Sequence, residues 1–169
     1  RSERTEVQIG GIEAAHATMA SFFDGRGTDY RFEMSSPLTA GTACSRLSPY
    51  LAYGNLSMRT LLQRTEAHQE RARAYARSAP KKSGWSASLA TYAKRLRWHC
   101  HFIQKLEREP DIEFENMARV YDGMRENDFN EEFFDAWCEG MTGYPMVDAC
   151  MRSLHATGWV NFRMRAMLM

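Results

Sequence analysis

Apolar and polar positions recur along most of the chain with a period near 3.6, the spacing that sets one stripe of an α-helix against a core. Over 12–23 the stripe is Ile12, Ala15, Met19 and Phe22, and Gly25 follows as a stop. Residues 25–47 are rich in Gly, Ser and Thr, hold Pro37 and keep no period, so a loop is expected there. Ser48-Pro49 reads as N-cap and first residue of a short helix ended by Gly54. A serine hydroxyl accepts an orphan N–H, and proline lacks the N–H that a first turn leaves unpaired. Ser57 caps the next helix, whose stripe of Leu61, Leu62, Ala72 and Tyr75 runs on before Pro80. Its opposite face carries Arg59, Arg64, Arg71, Arg73 and Arg77, and 81–84 reads as a connector. From 88 to 107 the period is again helical, through Leu89, Tyr92, Ala93, Leu96, Cys100, Ile103 and Leu106, and Pro110 closes it. Asn130 opens a helix with Glu131 and Glu132 in the first turn, where the helix dipole favours acids, and Gly140 ends it. Thr142-Gly143-Tyr144-Pro145 starts another, with Val147, Cys150, Met151 and Leu154 inward and Gly158 past its end. No segment alternates at period two. The predicted fold class is all-α.

Length and composition narrow the picture. A chain of 169 residues can bury a sizeable core, and one domain spanning 1–169 is expected. Hydrophobic residues at 44% and aromatics at 12% exclude a disordered chain. The net charge of +1 gives no bulk basicity, so any contact with nucleic acid must come from a local patch. No apolar run approaches the ~20 residues of a membrane span, and there is no secretory signal. Cys44, Cys100, Cys138 and Cys150 lack CxxC spacing, which argues against a structural metal or a disulfide framework. They read as reduced thiols, mostly in the core, of a cytoplasmic protein. The chain opens on Arg1, and its last residues run in a helical mix without a stop signal, so it reads as a piece of a longer protein.

Three stretches carry candidate chemistry. In TACSRLSPYL (42–51), small hydroxyl and thiol residues run into a helix start. That is either an ordinary capped turn or a cradle for a phosphate, since a helix N-terminus presents free N–H groups. In LRWHCHF (96–102), His99 and His101 do not share a helix face, so a metal pair is not expected. Trp98 is either core or an aromatic wall for a planar ligand or base. In 141–165, Asp148 sits in an otherwise apolar run. A buried carboxylate needs a cation, and Arg152 or Arg165 is expected to serve it. Arg163 and Arg165 lie either on a solvated face or against an anionic or electron-rich ligand.

Together SRLSPYLAYGNLSMR, RLRWHCHFIQKL and WCEGMTGYPMVDACMRSLHATGWVNFRMRAML resemble the FAD-binding domain of the DNA photolyase and cryptochrome family, in order and approximate spacing, over about residues 10–169. The resemblance implies an all-helical domain holding FAD non-covalently. It implies that Tyr30 and the turn Cys44, Ser45, Arg46, Leu47 and Ser48 hold the phosphates, with Cys44 standing where Thr is usual. It places Tyr92, His99, Phe162 and Arg165 around the cofactor, Phe162 facing the flavin N5 and His99 where an Arg is usual. It turns Arg95, Trp98 and Arg163 toward damaged DNA, with Arg95 in the place of a lesion-contacting Glu. It implies an antenna domain elsewhere in the whole protein. Residues matching the later part of the family's FAD domain are absent, so the chain is expected to supply about half a flavin cavity and to bind FAD weakly or not at all by itself.

Three functions follow as expectations: light-driven electron transfer from FAD for DNA repair, blue-light reception of cryptochrome type without repair, and a helical interaction module without cofactor. Lys94, Arg95, Arg97 and Arg163 are expected to line one groove for DNA, with affinity falling steeply as salt rises.

Overall fold

Residues 7–78 and 84–168 are described by the computed structural model of the chain, and every regular element among them is helical. Helix α1 (Ile12–Ser21) buries Ala15 and Met19 and leaves Ile12 exposed. It widens into a π-helical turn, Phe22–Arg26, that sends both phenylalanines inward. The region expected to be loop instead holds two single-turn helices, α2 (Tyr30–Glu33) and α3 (Ala40–Ala43). Neither has the length to persist alone. Burial of Tyr30, Ala40 and Ala43 fixes them, a tertiary cause that local pattern does not report.

Helix α4 (Ser48–Ala52) is followed by Gly54 in left-handed backbone. Ser57 then caps α5 (Met58–Ser78) as expected, accepting from the Thr60 N–H at 3.0 Å. The arginine face of α5 is exposed. Helix α6 (Trp85–Arg108) packs on α5 and α2. Pro80 and most of the connector expected over 81–84 fall outside the described residues. Only the first half of α6 is buried, through Ser88, Leu89, Tyr92 and Leu96. Cys100, Ile103 and Leu106 continue the apolar period yet are exposed, because the contacts with the core all fall on the first half.

A chain of short 3-10 turns leads to α7 (Glu131–Glu139), where the Asn130 side chain accepts from Phe133 N–H at 3.0 Å. Gly140 ends α7 at φ 68°, and the Met141 N–H closes back on the Ala136 carbonyl at 2.7 Å. A Cβ at Gly140 would lie 3.0 Å from the Asp148 carbonyl oxygen, so the position requires glycine for both reasons. Helix α8 (Pro145–Thr157) starts on its proline, and α9 (Phe162–Leu168) follows a short turn.

The main core gathers Phe22, Tyr30, Leu47, Leu61, Leu89 and Tyr92. A smaller one holds Cys150, Val160 and Met164. Buried Asn161 bridges the two regions: its Nδ2 donates to the Met34 carbonyl at 3.2 Å, and its Oδ1 accepts from Met164 N–H at the start of α9. Among the described residues no helix is long and apolar enough to cross a membrane.

Candidate functional site

The turn of TACSRLSPYL is held from behind by Arg26. Its Nη1 donates to the carbonyls of Thr42 (2.6 Å) and Cys44 (2.7 Å), its Nη2 reaches those of Thr18 (3.3 Å) and Ser45 (3.4 Å), and its Nε donates to Ser21 Oγ (3.0 Å). Sequence reasoning gave Arg26 no role, because its five acceptors lie 5 to 19 residues away and form no pattern. Arg46 takes left-handed backbone at φ 61°, the non-glycine residue to do so among those described. Such a residue stores roughly 1–2 kcal/mol. Gln8 holds it there, donating to the Arg46 carbonyl at 2.7 Å and accepting from its Nε at 3.3 Å. The Arg46 guanidinium then lies 4.1 Å from the centre of the Trp159 ring, which ties the turn to the segment before α9. One expectation is corrected here: Ser48 begins α4 rather than capping it, and no side chain caps that end. With five residues, α4 has little dipole to offer, so positive charge at the turn comes from guanidinium groups.

In front of the turn lies a half-open cavity of about 430 Å³. Every residue that the resemblance sets around the cofactor or toward DNA lines it: Tyr30, Cys44, Ser45, Arg46, Leu47, Ser48, Tyr92, Arg95, Trp98, His99, Phe162, Arg163 and Arg165. Met34, Met58, Phe102 and Trp159 line it too and were missed. Their only signal was an apolar character that elsewhere means core. Lys94 and Arg97 are exposed on α6 but do not line this cavity, so the expected four-cation groove is reduced to Arg95 and Arg163. The lining contains no Asp or Glu.

The floor is aromatic and buried. Phe22 lies beneath Tyr30 and Tyr92, with ring centres 5.8 and 4.8 Å away. The rim is aromatic and open: Trp98 and Phe162 meet edge to face at 6.2 Å and are 46% and 54% exposed. Burial pushes the Tyr30 hydroxyl up to about 12, with Cys44 adding to the rise and Arg95 opposing it. Burial likewise raises Tyr92, offset in part by the Ser45 side chain. It lifts the Cys44 thiol to about 11 against the pull of Arg46 and Arg26. These groups therefore stay protonated at neutral pH and serve as neutral polar walls.

A pH dependence follows. Raised acid pKa values favour the folded state fully below the unfolded values of 9.0 and 10.0. That stability drains as pH climbs toward about 11 for Cys44 and about 12 for Tyr30, because only the unfolded chain has yet lost the protons. Urea midpoints are expected to be flat from pH 7 to below 9 and to fall from pH 9 to 11. Cys44→Ser should flatten the first part of that fall, and an unchanged profile in the variant would reject the assignment.

Asp148 organises the loop that precedes α8, and it does so without a cation contact. Its carboxylate accepts from Thr142 Oγ1 (2.6 Å), Thr142 N–H (2.8 Å) and Gly143 N–H (3.0 Å). The Thr142 hydroxyl is the largest cause of its lowered pKa, with the two N–H groups adding to it and the Arg152 charge contributing least. Arg152 instead donates to the Gly140 carbonyl from Nε (3.1 Å) and Nη2 (2.9 Å), and Arg165 faces the cavity. Arg152 is nearer in sequence, at i+4, but the loop donors already satisfy both carboxylate oxygens.

A family model described as the FAD binding domain of DNA photolyase matches residues 92–169. The chain is 35% identical over 155 residues to the deoxyribodipyrimidine photo-lyase of Vibrio cholerae, covering 91% of the chain and 30% of that protein. It is 36% identical over 155 residues to that of Thermus thermophilus, covering 92% and 32%. The crystal structure of a bacterial class III photolyase from Agrobacterium tumefaciens superposes with a TM-score of 0.76 at 28% identity, over 94% of the chain and 30% of that protein. The chain thus spans about a third or less of the length of these relatives.

Proposed function

Since the chain belongs, over the part it spans, to the family of the FAD-binding domain of DNA photolyases, we propose that its cavity binds FAD and that the protein serves light-driven electron transfer to a lesion in DNA. One observation carries the reading. All residues that the resemblance assigned to cofactor and lesion line a single aromatic cavity with four guanidinium groups and no carboxylate. A flat ring system joined to a pyrophosphate needs flat walls and positive charge, and this donor set fits both.

Ser45, Ser48 and Arg46 are the groups for the phosphates, with Tyr30 and Cys44 beside them. Tyr92, Phe162, His99 and Arg165 are the groups around the ring. Bound FAD supplies photoexcited one-electron donation. The protein's own part is to orient the ring, to exclude water through Tyr30, Tyr92 and Leu47, and to offer Trp98 as a face on which an extruded base stacks. Phe162 brings no hydrogen-bonding group to the ring. No proton transfer by a side chain is required.

The titration of this chain with FAD tests the reading. The cavity is half open and sits in the lower part of the ~300–1,000 Å³ range of ligand pockets. Affinity weaker than micromolar is therefore expected, falling about fivefold further in Arg165→Ala, the equivalent of about 1 kcal/mol. Fluorescence quenching of FAD reads both. Submicromolar binding rejects the half-cavity expectation, and no binding at millimolar FAD rejects this cavity as a cofactor site of the chain by itself.

A second reading, blue-light reception without repair, is favoured by Arg95, whose guanidinium lies over the Trp98 ring where a base would stack. Irradiating the whole protein with damaged oligonucleotide separates the two. Repair proportional to light dose supports the first, and flavin reduction without repair supports the second.

A further inference from the structure

The rim of the cavity holds a cation that nothing described answers. Arg95 sits on α6 one turn before Trp98, with its guanidinium 4.1 Å from the centre of that ring and 5.1 Å from the centre of Phe162. These contacts place the charge but leave the N–H edges without acceptors. Among the described residues Arg95 makes no hydrogen bond and no ion pair. Arg26 spends its donors on four carbonyls and a hydroxyl, and Arg46 is paired with Gln8. Arg163 and Arg165 also lack acceptors among the described residues, and what sets Arg95 apart from them is the pair of rings that holds its guanidinium. Arg163 and Arg165 share the lining, so Arg95 also adds like charge to a cavity with no acid in it. A guanidinium already immobilised on two rings loses little entropy on binding, and its fork matches the oxygens of a phosphate. A base carbonyl could accept one of its bonds but would leave the charge unanswered.

We propose that Arg95 is a specificity-determining residue that recognises a phosphate ester of the ligand, its donor edge held ready by Trp98 and Phe162. The inference rests on the nucleotide-binding reading above and names the chemistry selected at this rim. The phosphate has two sources, the pyrophosphate of the flavin dinucleotide or the backbone of a DNA strand.

The test uses the whole chain and three probes: FAD, riboflavin, and a fluorescent octamer of deoxythymidine, each titrated across 20–200 mM salt. Arg95→Gln is expected to weaken a phosphate-bearing probe about fivefold to tenfold and to leave riboflavin within twofold. On the oligonucleotide it should reduce the log–log salt slope by about 0.7, one phosphate on a single strand. Arg95→Lys keeps stem and charge, so it should keep the salt slope while losing about twofold to threefold in affinity; it also carries the test should glutamine lower the melting point. Loss confined to the oligonucleotide assigns the strand, and loss confined to FAD assigns the pyrophosphate; either supports the proposal. Equal loss on riboflavin, or no loss on either phosphate probe, overturns it while leaving the cavity reading in place. A wild-type chain that binds none of the three overturns the nucleotide reading itself and this assignment with it.

Discussion

Replacing Arg26 by alanine is expected to destabilise the chain by about 2–3 kcal/mol and to weaken FAD binding at least tenfold. The side chain sits behind the turn and does not line the cavity, so the effect is one of position. The carbonyls of Thr42 and Cys44, at 2.6 and 2.7 Å, lose a charged donor. Each hydrogen bond to a charged group contributes roughly 1.5–3 kcal/mol, and an orphaned carbonyl costs roughly 1–3. Water reaches part of this half-buried site, so the sum is discounted. With the carbonyls released, the backbone from 42 to 45 loses its brace, and Gln8 alone is left to hold the left-handed Arg46 that follows. Arg26→Lys is expected to recover less than half, since one ammonium cannot serve acceptors on Thr18, Ser21, Thr42 and Cys44 together. Urea denaturation and FAD titration of the three proteins check this. A loss below 0.5 kcal/mol with unchanged FAD affinity would mean that water substitutes for the guanidinium and that the turn holds itself.

Phe22→Ala should cost about 3–5 kcal/mol, the range for emptying a large aromatic site. Phe22 is 1% exposed, and its ring contacts Phe23, Tyr30 and Tyr92. The site cannot collapse easily, because these rings come from three different elements. That loss is a large fraction of the stability of a domain, roughly 5–15 kcal/mol. Phe22→Leu should recover more than half. Urea midpoints with unchanged slopes report the difference. A cost under 1.5 kcal/mol for the alanine variant would show that Tyr30 and Tyr92 close over the gap. Gly27 gives a second view of the same packing: a Cβ there would lie 2.7 Å from the Phe22 ring, so the glycine is fixed by the neighbour it must admit.

Much of the architecture was written in local chemistry. Ser57, Asn130, Gly140 and Pro145 begin or end their helices as their side chains dictate, because caps act within one turn of the residue that makes them. The apolar period placed α1, α5, α6 and α8, and the blocks around Ser45, Trp98 and Arg165 named the cavity's lining residues before their arrangement was known. The failures share one cause. α2 and α3 exist only because their few apolar side chains are buried by distant residues. Asp148 chose loop donors over the expected cation, and Lys94 fell away from the groove that its neighbour Arg95 entered.

The residue types and their spacing by themselves determined that this chain is helical and where most of its helices start and stop; the side chains that share one cavity were grouped by the resemblance, not by spacing. Only the tertiary structure decided that Arg26 braces the turn from behind, that Asn161 pins α9 to the Met34 carbonyl, and that Arg95 rests over Trp98 and Phe162 with its donors unspent. A cap or an amphipathic stripe is an interaction between near neighbours and repeats at a fixed interval. A guanidinium bracing carbonyls up to 19 residues away, or an amide reaching across 127, has no interval to repeat, so it becomes visible only once the chain has brought the two ends together.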